Sequence, residues 1–276
     1  ALEDAGQRTA DLKGSRTGVY VAASWHDYEI LRKEHGARPT QHSLVGSALD
    51  VLAARISYVL RLRGPSLTVE SGCSSSLVAL HLAVQALRSG ETDTAIVGAA
   101  NLILSPDVSV GLTHFGGLSP QGRCAAFSAS ADGFVRGEGV AAVCLKPLSR
   151  ALADGDTVHG IIERTAVNND GGDESMVTPS ADAQAELLAG VYGDRPGAIP
   201  ADSLAYVEAH GTGTRRSDPA EARALSSAAD GVDLRLNIVG EVHVARKQYL
   251  DGSIPTGFQR TAIIGVGGGI PFGERR

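Results

Sequence analysis

The chain has 276 residues, 43% of them hydrophobic and 20% charged, with 34 glycines and a formal net charge of −6. That make-up is close to the globular average and leaves room for a substantial core, while dispersed basic residues under a negative balance argue against a nucleic-acid surface. No apolar run has the length of a membrane span, and residues 1–14 lack the apolar segment of a signal peptide. Aromatic residues are only 4%, so the core must be built mainly from Ala, Val, Leu and Ile. Cys73, Cys124 and Cys144 cannot all pair within one chain and match no metal-binding spacing, so no bound metal or cofactor is expected. Three reduced thiols in a cytoplasmic protein are the plain reading.

Residues 1–6, Ala-Leu-Glu-Asp-Ala-Gly, read as the last turn of a helix closing at Gly6, and an upstream portion is therefore expected. Thr17–Ala23 predicts a buried strand, residues 48–61 an amphipathic helix broken by Gly64-Pro65, and residues 66–70 a β-rich stretch. Residues 77–87 are apolar on nearly every face and predict a buried helix closed by Ser89-Gly90. Further strands are expected at 94–100, 140–145 and 158–167, the last two joined by a helical turn ending near Asp154-Gly155. Ala181–Val191 predicts a helix, 204–208 a strand and 219–229 another helix. This alternation places the chain in the α/β class with layered sheets.

Two segments carry chemistry. In Glu70-Ser71-Gly72-Cys73-Ser74-Ser75-Ser76-Leu77 a strand ends, small residues make a tight turn, and a helix begins. The sulfur of Cys73 then lies at a helix N-terminus, where free N–H groups and the helix dipole favour thiolate over thiol. The alternative is a cysteine that merely packs. In Val207-Glu208-Ala209-His210-Gly211-Thr212-Gly213-Thr214 a strand runs into a histidine and a loop of glycines and hydroxyls. Glycine permits close approach of backbone to a ligand, and a histidine at the C-terminal end of a strand is a candidate for acid–base work. The alternative there is a loop histidine satisfied by its neighbours.

Together these segments resemble the β-ketoacyl synthases, most closely the ketosynthase domains of modular polyketide synthases. So do Gly64-Pro-Ser-Leu-Thr-Val, Ala99-Ala-Asn-Leu-Ile-Leu-Ser-Pro and Leu118-Ser-Pro-Gln-Gly-Arg-Cys. Ala131-Asp-Gly-Phe-Val-Arg-Gly-Glu-Gly, Leu145-Lys-Pro-Leu-Ser-Arg-Ala and Asp218-Pro-Ala-Glu-Ala-Arg extend the likeness from Ala1 to about Gly231. The resemblance implies a thiolase-like fold of layered α-β-α-β-α type, incomplete here at both ends, and normally a homodimer. It implies that Cys73 takes an acyl group from a thioester, and that His210 assists decarboxylation of a malonyl-type extender. Thr212 and Thr214 match positions that contact the phosphopantetheine arm of an acyl carrier protein, which is the substrate carrier and the expected partner. Covalent capture splits one hard step into two, and placed donors stabilise a developing oxyanion.

The chain departs from the family pattern in places. Glu70-Ser71-Gly72 stands where Asp-Thr-Ala is usual. After His210 no Lys-Thr-Asn-Ile-Gly-His stretch and no Gly-Phe-Gly-Gly oxyanion turn is recognisable. His243 and Gly265-Val-Gly-Gly-Gly are the residual signals, each in the wrong setting. A short stretch from about Ile238 to Phe272 resembles the B- and E-type subunits of tRNA-dependent amidotransferases, too short to form their site. The chain is thus divided into a ketosynthase portion, 1–232, and a tail, 233–276, expected from about Ile238 onward to stay out of the core. The leading expectation is acyl transfer and decarboxylative condensation. Its rivals are a fragment that only self-acylates, and a silent dimerisation or carrier-docking module. A tRNA-associated role of the tail is disfavoured by the net charge and by the short span of that likeness.

Overall fold

Thr17–Ala23, with β-branched Thr17, Val19 and Val21 at alternate positions, forms β1, buried along its whole length. The structure, a computed structural model, describes residues 1–172, 175–193, 197–204, 207–228 and 261–269. In chain order the elements are α1 (Thr9–Leu12), β1, α2 (Asp27–Glu34), α3 (Ser43–Ser47), α4 (Val51–Leu60), β2 (Ser66–Val69) and α5 (Ser75–Arg88). There follow β3 (Thr94–Asn101), α6 (Asp107–Phe115), β4 (Gly139–Pro147), α7 (Leu148–Asp154), β5 (Gly160–Ile162), α8 (Ala181–Val191), α9 (Ser217–Ala228) and β6 (Thr261–Gly269). The chain forms two compact units. The first holds Ala1–Val108, Gly137–Glu163 and β6; the second holds Ser109–Arg136 and the described residues of 164–228.

In the first unit one mixed sheet runs β2-β1-β3-β4-β6-β5. β1 pairs in parallel with β2 and β3, and β4 antiparallel with β3 and β6. The two faces of the sheet are covered by different helices. Tyr20, Ala22, Ala95, Val97 and Leu145 pack with Ala79, Ala83 and Leu87 of α5. On the opposite face Val19, Val21 and Ile96 pack with Ala53 of α4, and Cys144, Ala262 and Ile264 pack with Leu148 and Ala151 of α7. Neighbouring residues of one strand thus serve opposite faces, as the two-residue repeat of a strand demands. The α/β class and its layered packing are therefore present.

Several expectations are corrected. α5 is not buried all round: Ala79, Ala83, Val84, Ala86 and Leu87 face the core, while Leu82 and Gln85 are exposed. The strand expected over 158–167 shortens to Gly160–Ile162, whose three residues pair with Ile263, Ala262 and Thr261 of β6. Residues 204–208 form no strand where described. Val207 and Ala209 are buried against Leu225, with Leu188, Leu204 and Phe127 around them, so the in–out alternation exists without a hydrogen-bonded ladder. The tail is not wholly outside the core. β6 lies between β4 and β5, with Ala262 and Ile264 at 0% exposure, because an apolar Thr-Ala-Ile-Ile run completes the face covered by α7. His243 and the rest of 229–260 lie outside the described residues.

Lys146, near the end of β4, is 5% exposed and pairs with Asp154 and, at 2.6 Å, with Asp156. Burial pulls its pKa down, but the two carboxylates outweigh burial and hold it above the ordinary lysine value. Asp154, chiefly through its hydrogen bond to Lys146, is held below the ordinary carboxylate value. The stabilisation is therefore present across the neutral range, fading as pH rises through the raised lysine pKa or falls through the lowered Asp154 pKa. Lys146→Met leaves Asp156, itself largely buried, without its cation, and should cost about 3 kcal/mol in urea denaturation. An unchanged midpoint would show that the pair contributes nothing net.

Candidate active site

β2 ends at Val69 and α5 starts at Ser75, so only Glu70–Ser74 turn the chain from the sheet edge into the helix. Gly72 makes that reversal at φ +66°, a left-handed conformation that glycine adopts without penalty. Four serines knit the turn. Ser74 Oγ donates to the Ser71 carbonyl (2.9 Å), and the Ser71 and Ser74 hydroxyls lie 3.0 Å apart. Ser75 Oγ accepts from the Ser71 N–H (2.8 Å) and donates to the Gly72 carbonyl (2.6 Å). Ser24, just past β1, sits 3.4 Å from Ser75 Oγ. Cys73 is exposed at the apex, two residues before the first residue of a 14-residue helix. The strand–turn–helix setting expected for it is therefore present, and the thiol does not pack.

The other two thiols differ. Cys144 is fully buried between the sheet and α7, and burial pushes its pKa up to about 11. Cys124 is exposed, and its Sγ donates to the Gly211 carbonyl at 3.4 Å. Alkylation needs a thiolate and access. Limited iodoacetamide treatment at neutral pH should therefore label Cys73 first and Cys144 last, read by peptide mass spectrometry. Prior labelling of Cys144 would contradict this.

His210, Thr212 and Thr214 belong to the second unit, together on the loop that leads into α9. His210 is exposed, while Gly211 and Gly213 are buried. The Thr212 and Thr214 hydroxyls are 3.2 Å apart, and Thr214 Oγ1 also accepts from the Ser217 N–H at the start of α9 (3.2 Å). Two carboxylates from the first turns of α9 hold the loop backbone. Glu221 accepts from the N–H groups of His210 (2.7 Å) and Gly211 (2.9 Å). Asp218, 6% exposed, accepts from Gly213 (3.0 Å) and from Phe127, a residue at φ +58°. Charge-assisted bonds of this kind are the strong ones. In the sequence, Asp218-Pro-Ala-Glu marked only a family likeness, and neither carboxylate was expected to have a role. Their spacing of three on a helix that opens just after the loop was the available signal.

Gly265–Gly269, the residual signal for an oxyanion turn, is strand: Gly265 to Gly269 pair with Cys144 to Val140 of β4. No group of three or more His, Cys, Asp or Glu side chains among the described residues is arranged to hold a metal ion. No helix among them is long and apolar enough to cross a membrane.

The profile of the β-ketoacyl synthase N-terminal domain matches residues 1–151, and that of the β-ketoacyl synthase C-terminal domain matches 159–239. The polyketide synthase GfsA of Streptomyces halstedii is 49% identical over 228 residues, which is 82% of this chain and 3% of that protein. A ketosynthase from module 6 of the bacillaene synthase of Bacillus subtilis aligns with a TM-score of 0.75 at 39% identity, covering 83% of this chain and 38% of that one. An oxazolomycin ketosynthase domain from Streptomyces albus aligns with a TM-score of 0.78 at 37% identity, covering 87% and 41%. The chain therefore spans less than half of each of these relatives.

Proposed function

The chain belongs to the β-ketoacyl synthase family, and from that membership we propose that it accepts an acyl group on Cys73 as the first half of a decarboxylative condensation in polyketide assembly. The observation that carries the reading is the exposed Cys73 on a tight turn at the start of α5. In the proposed first step the Cys73 thiolate attacks the thioester carbonyl of an acyl-pantetheine arm, and the pantetheine sulfur leaves as a thiolate. In the second, a malonyl-type thioester loses carbon dioxide, and the resulting enolate carbon attacks the acyl-Cys73 carbonyl. A carbon–carbon bond forms and the thiolate is released. His210 is proposed to hold the enolate charge, with Thr212 and Thr214 contacting the arm. A carrier protein would present that arm. A second copy of the chain is the proposed partner, met at β2, which is terminal in the sheet among the described residues and where Leu67 is exposed. A reducing, cytoplasmic setting suits three free thiols.

A specific observation favours a second reading, self-acylation without efficient condensation. The one glycine run that resembles the family's oxyanion turn is tied into β6. Loss of one oxyanion donor typically costs about 10² to 10³ in rate. Offered an acyl-pantetheine thioester and then a malonyl thioester, the chain should acquire the acyl mass on the Cys73 peptide while releasing carbon dioxide very slowly. Brisk, Cys73-dependent condensation product would overturn the second reading and establish the full reaction.

A further inference from the structure

Among the serines that knit the turn carrying Cys73, Ser75 is the buried one. Its hydroxyl bridges the two peptide groups flanking the reversal, accepting the Ser71 N–H at 2.8 Å and donating to the Gly72 carbonyl at 2.6 Å. Its own N–H also reaches that carbonyl, at 3.1 Å. Ser75 is only 5% exposed, and its hydroxyl is backed by Ser24 at 3.4 Å. A Cβ at Gly72 would meet nothing within 4 Å, so packing does not hold this part of the turn. Hydrogen bonds must do so. Ser71 and Ser74 join their own exposed hydroxyls across the outer side of the turn, where water competes for the same bonds.

We propose that Ser75 is a positioning residue for Cys73: its buried hydroxyl locks the Ser71–Gly72 reversal to the first turn of α5 and so holds the Cys73 sulfur at the helix mouth. The inference rests on the reading of Cys73 as the reactive thiol. Without the hydroxyl, the Ser71 N–H and Gly72 carbonyl lose their bridge, and Gly72, with unusual backbone freedom, lets the sulfur swing away from the helix N–H groups.

The test uses the full chain and reads the alkylation rate of each thiol by iodoacetamide and peptide mass spectrometry. In Ser75→Ala the Cys73 rate should fall about five-fold or more, the size expected for one or two buried hydrogen bonds. The Cys124 rate, read on the same molecules, should not change. Ser75→Thr, which keeps the hydroxyl, should bring the Cys73 rate back to near that of the unmodified protein, which a loss of packing alone would not produce. Independently of any variant, the Ser71 amide in the unmodified chain should exchange its hydrogen on the order of ten-fold more slowly than a free peptide. An unchanged Cys73 rate in Ser75→Ala, failure of the threonine variant to restore it, or an unprotected Ser71 amide overturns the proposal. If Cys73 is the slowest thiol already in the unmodified chain, the reading of Cys73 itself fails, a result distinct from the others.

Discussion

Cys73→Ala should lower acyl uptake from a pantetheine thioester by about 10³-fold or more, the scale seen when a nucleophile that acts within a catalytic unit is removed. The expectation follows from how differently the three thiols are placed. Cys144 is sealed between sheet and α7, with its pKa raised to about 11, so almost none of it is thiolate at neutral pH and no thioester can reach it. Cys124 is exposed, but its sulfur is engaged with the Gly211 carbonyl and lies on no helix start. Only Cys73 combines exposure with a position just ahead of a helix. Since Cys73 is exposed, the substitution should leave the melting temperature within a degree or two, consistent with the small effects typical of such positions. Uptake that persists in Cys73→Ala would move the acyl site elsewhere.

Gly133→Ala should be among the most destabilising single changes in the second unit, costing about 3 kcal/mol or more from backbone strain and overlap combined. Gly133 sits at φ +136°, where a side chain is strained whatever the space. A Cβ there would lie 2.6 Å from Leu118 C and Ser119 N and 2.7 Å from the Gly117 carbonyl oxygen, all backbone atoms that cannot swing aside. The residue also ties down the His210 loop. Its N–H donates to the Gly213 carbonyl at 2.8 Å, and its own carbonyl would lie 2.9 Å from a Cβ placed on Gly213. Urea denaturation followed by circular dichroism measures the loss. Gly111→Ala, within α6 with nothing within 4 Å of its Cβ, serves as the comparison and should be neutral or slightly stabilising. Equal effects of the two changes would show that neither strain nor overlap sets the cost at Gly133.

Where local pattern and global packing agree, the sequence was readable. β1 and α8 have the boundaries their residues predict, and α7 ends at Asp154 with Gly155 as its cap. The turn at Cys73 was legible because a β-rich run, three small residues and an apolar helix meet within eight positions. What failed to show depends on partners distant in sequence. β5 exists through its pairing with β6, about a hundred residues on, and no local pattern encodes that. β6 itself was obscured by its glycines, which depress strand propensity, although its apolar half fills the face under α7. Residues 207–210 carry the alternation of a strand, yet the His210 N–H is taken by a carboxylate of α9 where a ladder would otherwise form. Side-chain bonds to backbone of this sort, like the Ser75 bridge, leave no periodic trace in a sequence.

The most direct measurement of the central claim is peptide mapping of the unmodified chain after brief exposure to an acyl-pantetheine thioester. If Cys73 is the acyl acceptor, there should be a single acyl adduct, carried by the peptide that contains Cys73 and lost on treatment with hydroxylamine, as a thioester is. An adduct confined to Cys124, or no cysteine adduct in a chain whose Cys73 still alkylates, would contradict it.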